Sequence, residues 1–251
     1  MAGHSKWANI KHKKAATDAK RGKMWSKLSK AIIVAAKQGG PDPAGNSRLR
    51  TAIADAKAVS MPKDNIERAI RKGSGETDGS NYEEIIYEGY GPGGVAVMCD
   101  ILTDNRNRTA PELRKLFEKG GGKMGATGCV SYLFDRKGLL IVSSSTVDEE
   151  KLMELALEAG AEDISSQDEN FEVICDPDAY SDVSDAFDAA EIECVSKQVT
   201  RIPQNTVDLE VDDARKVLRL MEALDDHDDV QSVSANFNIS DEAMAEIAAD
   251  D

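Results

Sequence analysis

The sequence is poor in aromatic residues and in long apolar runs. Only 5% of its 251 residues are Phe, Trp or Tyr, so a core must be built mainly from Ala, Val, Ile, Leu and Met. The longest uninterrupted apolar run is Ala31–Ala36, far shorter than the ~20 residues that a membrane-spanning helix needs. The first lysines are followed by no apolar segment of the kind that a secretory signal contains. We therefore expect no membrane association.

Cysteine and histidine are also scarce. The four cysteines, none of them in a CxxC pair, are Cys99, Cys129, Cys175 and Cys194. Most of them fall in apolar, strand-like runs, which predicts buried reduced thiols and a cytoplasmic location. The three histidines are His4, His12 and His227. The chain contains no nucleophile elbow, HExxH motif or paired-cysteine site, so we predict a protein that is not an enzyme and has no cofactor, metal or small-molecule substrate.

Charge is distributed very unevenly along the chain. The net charge is −15, but residues 1–75 contain 17 Lys and Arg against 5 Asp and Glu. Residues 144–251 contain 6 basic and 31 acidic side chains. This asymmetry predicts a polyanion-binding module joined to an anionic body. The acidic part either provides solubility alone or repels nucleic acid, so that contact is restricted to the basic end.

The first part of the chain has the periodicity of amphipathic helices. A helix is predicted from Thr17 or Asp18 to Gln38, a second after Asn46, and a third from Pro62 to Gly73. Each has one apolar stripe, and the lysines of the first recur on a different face. We expect a basic three-helix domain over residues 1–78, with a glycine- and serine-rich linker at its end.

The remainder alternates between strand-like and helical segments, which predicts α+β units with antiparallel sheets of ferredoxin-like type. The pattern predicts a strand at Cys129–Phe134, a turn at Asp135–Gly138, and a helix capped by Thr109. The last ten or so residues are small and acidic and are expected to fray. Two such units are either consecutive in the chain or one is inserted in the other, and periodicity does not decide between these arrangements.

The strongest functional signal is the basic segment that begins at Ser5. Residues 1–17 contain no acidic side chain, and lysines attract phosphates and release their counterions on binding. An exposed Trp stacks on bases and an Asn hydrogen-bonds base edges. The predicted nucleic-acid-binding residues of this segment are Lys6, Trp7, Asn9, Lys11, His12, Lys13, Lys14, Lys20, Arg21, Lys23, Lys27 and Lys30. The alternative is a solvated basic arm without a ligand.

Three other segments are candidate functional sites. Arg106 and Arg108 lie between a predicted strand and a helix start, where they either hold a phosphate or pair with surface acids. Residues 87–94 are glycine-rich but lack the Lys-Ser/Thr of a phosphate-binding loop, so a tight turn is favoured over a tyrosine-based interaction surface. The acidic run at residues 225–229 does not match a calcium-binding loop, and solvated loop acids are favoured over a metal site.

Several long motifs resemble one known family. The segments Ala2–Trp7, Lys11–Ala16 and Asp18–Lys23, together with Tyr87–Gly94 and Asp104–Thr109, are similar to motifs of the YebC/PmpR family. The resemblance implies a basic helical domain and two α+β domains, the third inserted in the second. The boundaries implied here are 1–78 for the helical domain, 79–135 and 206–242 for the discontinuous domain, 136–205 for the inserted acidic domain, and 243–251 for a frayed tail.

The resemblance implies two functions that use the same polyanion chemistry. Bacterial members are described as probable DNA-binding transcriptional regulators. Members similar to the mitochondrial translational activator of cytochrome c oxidase act in translation, which implies contact with ribosomal RNA. A third hypothesis is an acidic protein-interaction scaffold whose basic arm is incidental. The partner expected from the first two is DNA or the ribosome, and the oligomeric state is left open.

Overall fold

The computed structural model describes residues 18–75, 81–167 and 169–249. The first described range forms the predicted helices, α1 (Asp18–Gly39), α2 (Ser47–Ala58) and α3 (Lys63–Gly73). Asn46 holds the turn between α1 and α2, because its side chain accepts a hydrogen bond from the Leu49 N–H at 3.0 Å and donates one to the Ala35 carbonyl at 2.8 Å. One buried side chain thus caps α2 and satisfies a carbonyl of α1.

Helix α3 packs closely against α1 near Gly73. A Cβ atom at Gly73 would lie 2.4 Å from the Ile33 carbonyl oxygen and 2.7 Å from the Ala36 Cβ atom. Only a residue without a side chain allows this approach. The core of the helical domain forms around it from Ile32, Leu49 and other apolar side chains of all three helices.

The other elements alternate between strands and helices. In chain order they are β1 (Glu83–Tyr90), β2 (Ala96–Thr103), α4 (Arg106–Lys119), β3 (Lys123–Met124), β4 (Phe134–Ser143), α5 (Glu149–Glu158), β5 (Ala161–Gln167), β6 (Asn170–Cys175), α6 (Tyr180–Ala189), β7 (Cys194–Pro203), β8 (Val207–Leu209), α7 (Val211–Asp225), β9 (Val230–Ala235), β10 (Phe237–Ile239) and α8 (Asp241–Ala249). Short 3-10 turns occur at Pro92–Gly94 and Ser131–Leu133. None of the helices in the described ranges is long and apolar enough to cross a membrane.

The first sheet is antiparallel, with strand order β3-β1-β2-β9. Helices α4, α7 and α8 cover one face, where Phe117, Leu220 and Ile247 pack against Val97 and Cys99. Strand β9 pairs with β2, although about 130 residues separate them in the sequence. The chain therefore leaves this sheet, builds a second one, and returns.

The second sheet has strand order β5-β6-β4-β7 and is also antiparallel. Its chain order β4-α5-β5-β6-α6-β7 is the split βαβ pattern of ferredoxin-like folds. Helices α5 and α6 pack on one face through side chains such as Leu152 and Phe187. The predicted α+β class, with a helical domain followed by antiparallel sheet units, is confirmed.

An ion pair joins the two sheets. Arg201 on β7 donates from Nη2 to Asp100 Oδ1 on β2 at 2.9 Å, and its Nε also contacts both carboxylate oxygens. Ser232 on β9 donates to the same carboxylate at 2.9 Å. The three strands are therefore tied together at one acidic side chain.

Two local predictions around Phe134 were wrong. Residues 131–133 form a 3-10 turn, so the predicted strand at Cys129–Phe134 does not form. The predicted turn at Asp135–Gly138 is instead the first half of β4, which pairs with β7 from Phe134 onward. The polar residues of this segment face solvent on a strand, and local sequence does not reveal a partner about 65 residues away.

Two helix ends also differ from prediction. Asn105, rather than Thr109, caps α4, because its side chain accepts the Arg108 N–H at 3.1 Å while Thr109 is buried one turn later. The expected frayed tail forms α8, which runs to Ala249 and buries Ala243 and Ile247 in the first core. The acidic residues around them, Asp241, Glu242 and Glu246, hid this apolar spacing of four residues, which places Ala243 and Ile247 on one helix face.

The four cysteines are free thiols, as predicted. Cys99 and Cys175 are buried, whereas Cys129 and Cys194 are only partly buried. Burial raises the pKa of Cys175 and of Cys194 to about 11. Both thiols are therefore protonated at neutral pH and poorly nucleophilic.

A buried carboxylate organises the loop that leads into β4. Glu88 on β1 is 3% exposed, and it accepts hydrogen bonds from the backbone N–H groups of Gly128, Val130 and Ser131 at 2.7, 2.8 and 2.9 Å. Burial opposes its ionisation, but these donors outweigh burial and hold the pKa of Glu88 below its usual value.

We predict that Glu88→Gln lowers the free energy of unfolding by about 2–3 kcal/mol at pH 7, because a buried amide places N–H groups against backbone donors. Urea denaturation measures this change. Glu83→Gln, at an exposed position of the same strand, is the matched control and should change stability by less than about 0.5 kcal/mol. Equal effects of the two variants would contradict the anchoring role of Glu88.

Candidate nucleic-acid interface

The basic arm lies outside the described residues. It contains seven of the predicted binding residues, namely Lys6, Trp7, Asn9, Lys11, His12, Lys13 and Lys14. Lys20 lies in the first turn of α1, and Arg21 is an exposed residue that follows it. Helix α1 therefore begins directly after the acid-free stretch of the sequence.

Three lysines of α1 face the folded body of the protein. Lys23, Lys27 and Lys30 are spaced four and three residues apart, which places them on one helix face. Lys23 Nζ donates to the Asp226 carbonyl at 3.2 Å, Lys30 Nζ donates to the Asp228 carbonyl at 3.0 Å, and Lys27 Nζ donates to the Asp225 carbonyl.

The Asp225 and Asp226 carbonyls lie at the C-terminal end of α7, where a helix has unsatisfied acceptors and partial negative charge, and the Asp228 carbonyl lies in the turn that follows. The lysine ammonium groups donate hydrogen bonds to these acceptors and offset the partial negative charge. The Asp225 carboxylate adds an ion pair to Lys27 at 3.7 Å. Lys23, Lys27 and Lys30 were predicted from the sequence to contact phosphate. In the structure they hold the helical domain against the end of α7.

Asp229 is the centre of this docking surface. Its side chain is 3% exposed, and its Oδ1 atom lies 2.7 Å from Lys30 Nζ. Its Oδ2 atom accepts hydrogen bonds from Arg108 at 2.7 Å, from the Thr109 hydroxyl at 2.8 Å and from the Thr103 hydroxyl at 3.2 Å. Burial alone would raise the pKa of Asp229, but Lys30, Arg108 and Thr109 hold it well below its usual range.

The two arginines of the second predicted site have different surroundings. Arg108 contacts Asp229 and, at 3.3 Å, Asp104, so its guanidinium lies among carboxylates. Arg106 is exposed at the first position of α4. Arg108 thus belongs to an ion-pair cluster, whereas Arg106 is exposed two residues earlier, and side chains two residues apart do not face each other on a helix.

The acidic run at residues 225–229 is more than a set of solvated loop acids. His227 accepts the Asp229 N–H at Nδ1, 3.1 Å away, and its Nε2 lies 3.0 Å from the Glu112 carboxylate. The described ranges contain no group of His, Cys, Asp and Glu residues arranged to hold a metal ion. The run instead ends α7 and supplies the acceptors for α1.

Sequence reasoning missed the role of Asp229. The four residues that precede Asp229 in the sequence are also acidic or titratable, and only Asp229 of these five is buried. Its position directly before strand β9 gives no signal, because the adjacent Val230 is also buried and strand alternation would place the two side chains on opposite faces. Its partners on α1, β2 and α4 lie about 120 to 200 residues away.

Comparisons with known proteins agree with this architecture. A family model described as "TACO1/YebC protein N-terminal domain" matches residues 5–76, and one described as "TACO1/YebC second and third domain" matches residues 82–237. The chain belongs to the TACO1/YebC family. The resemblance noted in the sequence is thereby confirmed.

Similar proteins extend over nearly the whole chain. A probable transcriptional regulatory protein of Rhodopirellula baltica is 62% identical, with 98% of this chain and 100% of that protein covered. One of Geobacter sulfurreducens is 57% identical over the same shares. The crystal structure of a conserved hypothetical protein from Aquifex aeolicus has a TM-score of 0.83 and 51% identity, covering 92% of this chain and 96% of that one. Both relatives from Rhodopirellula baltica and Geobacter sulfurreducens are named probable transcriptional regulatory proteins.

We predict that Asp229→Asn lowers the free energy of unfolding by about 2–4 kcal/mol at pH 7, because Lys30 and Arg108 lose their shared buried carboxylate. Asp228→Asn is the matched control: it makes the same change of charge one residue away, at an exposed side chain, and should be nearly neutral.

The pH dependence has a definite sign. Asp229 has a depressed pKa in the folded protein, so its contribution is present above the unfolded pKa of about 3.9 and is lost as the pH falls further. The stability difference between wild type and Asp229→Asn, measured by urea denaturation, should be constant from pH 5 to 7 and shrink below pH 4. A difference that grew toward acid pH would contradict the assignment.

Proposed function

We propose that this protein is a non-enzymatic nucleic-acid-binding regulator of gene expression, and that it acts as a DNA-binding transcriptional regulator. The observation that carries the proposal is the family relationship, because relatives that match the full chain are named probable transcriptional regulatory proteins. The chemistry of the chain supports it. Seventeen basic side chains lie in residues 1–75, next to a body that is strongly acidic.

The docked face of α1 supports the basic arm as the principal contact. Lys23, Lys27 and Lys30 bind the end of α7, so they contribute less to phosphate binding than the sequence alone indicates. The remaining predicted contacts are Arg106 and the segment from Lys6 to Arg21. The docked helix provides a fixed starting point from which the arm reaches a duplex, and acids on the body repel phosphates elsewhere.

Binding through the arm should depend strongly on salt. We expect replacement of Lys11, Lys13 and Lys14 by Ala to reduce the slope of log K against log salt by roughly 2–3, since each neutralised phosphate contributes about 0.9. Fluorescence anisotropy with a labelled DNA duplex, titrated at several salt concentrations, measures this slope.

The control variant replaces Lys115, Lys119 and Lys123, which are exposed on α4 and β3 beside the first sheet, and so removes the same charge outside the arm. It should leave the slope nearly unchanged. If both triple variants reduced the slope equally, general charge rather than the arm would account for binding.

A ribosomal role is the second candidate, favoured by Trp7 in an arm rich in lysine. An aromatic side chain stacks on unpaired bases, which ribosomal RNA offers and an intact duplex does not. Trp7→Ala separates the two functions: it should weaken binding to single-stranded RNA and sedimentation with ribosomes if RNA is the target.

For the DNA function, Trp7→Ala should leave duplex binding largely intact, and a footprint on genomic DNA should survive excess nonspecific competitor. Loss of the footprint under competitor, together with ribosome sedimentation that requires Trp7, would replace the transcriptional proposal with the translational one.

A further inference from the structure

A groove runs between α1 and α3 on the surface of the helical domain. Its volume is about 380 Å³. The groove is lined by Ser26, Ser29, Lys30 and Ile33 of α1, by Asn65, Arg68, Ala69 and Lys72 of α3, and by Tyr82. Each helix contributes a stripe with the spacing i, i+3, i+4 and i+7, which is one continuous helix face.

The chemistry of the lining is selective. Its charged side chains are all cationic (Lys30, Arg68 and Lys72), and its other polar groups include the Ser26 and Ser29 hydroxyls and the Asn65 amide. No acidic residue is among the residues that line it, although the chain contains 46 Asp and Glu. Hydroxyl, amide and guanidinium groups are the donors that bind phosphate oxygens.

Two other clefts differ from this groove in the charge of their lining. The cleft beside Asp229 is lined by five acidic side chains, Asp104, Glu112, Asp226, Asp228 and Asp229, and by the cations Lys23, Lys30 and Arg108. The larger cleft of about 870 Å³ between α2 and the second sheet is lined by Asp55, Asp185, Asp188, Glu191 and Glu193, and by the cations Arg50 and Lys197. Acidic side chains outnumber cations in both clefts, so both are less favourable for a polyanion than the groove. The groove between α1 and α3 differs from both clefts because no acidic side chain lines it.

Packing keeps the groove in shape. At one end Gly73 brings α3 against the α1 backbone at Ile33, so the helices meet there and leave a channel toward Ser26. Lys30 is held by Asp229 at 2.7 Å and lies 5.8 Å from the centre of the Tyr82 ring, which fixes that wall of the groove. Arg68 is exposed on the opposite wall.

We propose that this groove binds the sugar-phosphate backbone of the same nucleic acid that the basic arm contacts, with Arg68 and Lys72 on phosphates and Ser26, Ser29 and Asn65 as neutral donors. The inference rests on the proposed function and extends it to a second contact on α3. Helix α1 joins the two contacts, because it follows the arm in the chain and forms one wall of the groove.

The test compares the wild type with the double variant Arg68→Ala, Lys72→Ala, using anisotropy of a labelled DNA duplex and of a single-stranded RNA of equal length. Loss of two phosphate contacts should weaken binding and lower the salt slope by about 2. Arg68→Lys, Lys72→Arg should restore the slope, since either cation neutralises a phosphate. Thermal unfolding confirms that each variant folds.

The matched control is Lys57→Ala, Lys63→Ala, which removes two exposed charges of the same domain outside the groove. A smaller change in slope for this control supports the groove. Equal changes for both pairs would overturn it, because domain charge alone would then suffice. The Ser29→Ala, Asn65→Ala pair, which leaves the charge intact, should weaken binding without changing the slope.

Failure of the groove is distinguishable from failure of the function. If the wild type binds and the arm variant is impaired while the groove variant retains wild-type slope and affinity, the groove proposal is wrong and the function stands. If the wild type binds neither nucleic acid, both are overturned. Preference between DNA and RNA, read from the wild type in the same titrations, does not affect the assignment of the groove.

Discussion

The arrangement of the helical domain depends on one buried carboxylate. Asp229 accepts hydrogen bonds from the hydroxyls of Thr103 on β2 and Thr109 on α4. It also accepts them from the Arg108 guanidinium on α4 and the Lys30 ammonium on α1. An unpaired charge at a site that is 3% exposed would be strongly unfavourable. Its four partners therefore have to be present together, and this requirement sets the position of α1 relative to the first sheet.

This docking changes how the charge of the basic segment is interpreted. Lysines on α1 satisfy the C-terminal end of α7, so positive charge near the acidic body serves to hold two domains together. Outside this docking surface, the sequence has further basic residues in the arm, and Arg68 is exposed on α3. Acidic clefts on either side of the helical domain limit where a polyanion approaches, because screening at physiological salt leaves interactions within about 8 Å effective.

Much of the fold was predictable, because helices with strong amphipathic periodicity are determined locally. Helices α1 and α3 begin and end within one residue of the predicted positions, and α2 begins directly after Asn46, as predicted. The errors arose where a segment distant in the sequence determines the local structure. Asp135–Gly138 forms a strand because it pairs with β7, and the tail forms α8 because it packs on the core of the first sheet. The groove between α1 and α3 was not predicted, since its stripes come from helices about 40 residues apart.

The sequence by itself determined the charge asymmetry, the three amphipathic helices, the α+β class and the family, because composition, periodicity and long motifs are local properties. Only the tertiary structure decided which cations face other parts of the protein and which face solvent. Lys30 and Arg68 look alike in the sequence, yet one contacts a buried carboxylate and the other is exposed on α3. The physical reason is that a charge takes its role from its neighbours in space, and those of Lys30 lie about 200 residues away.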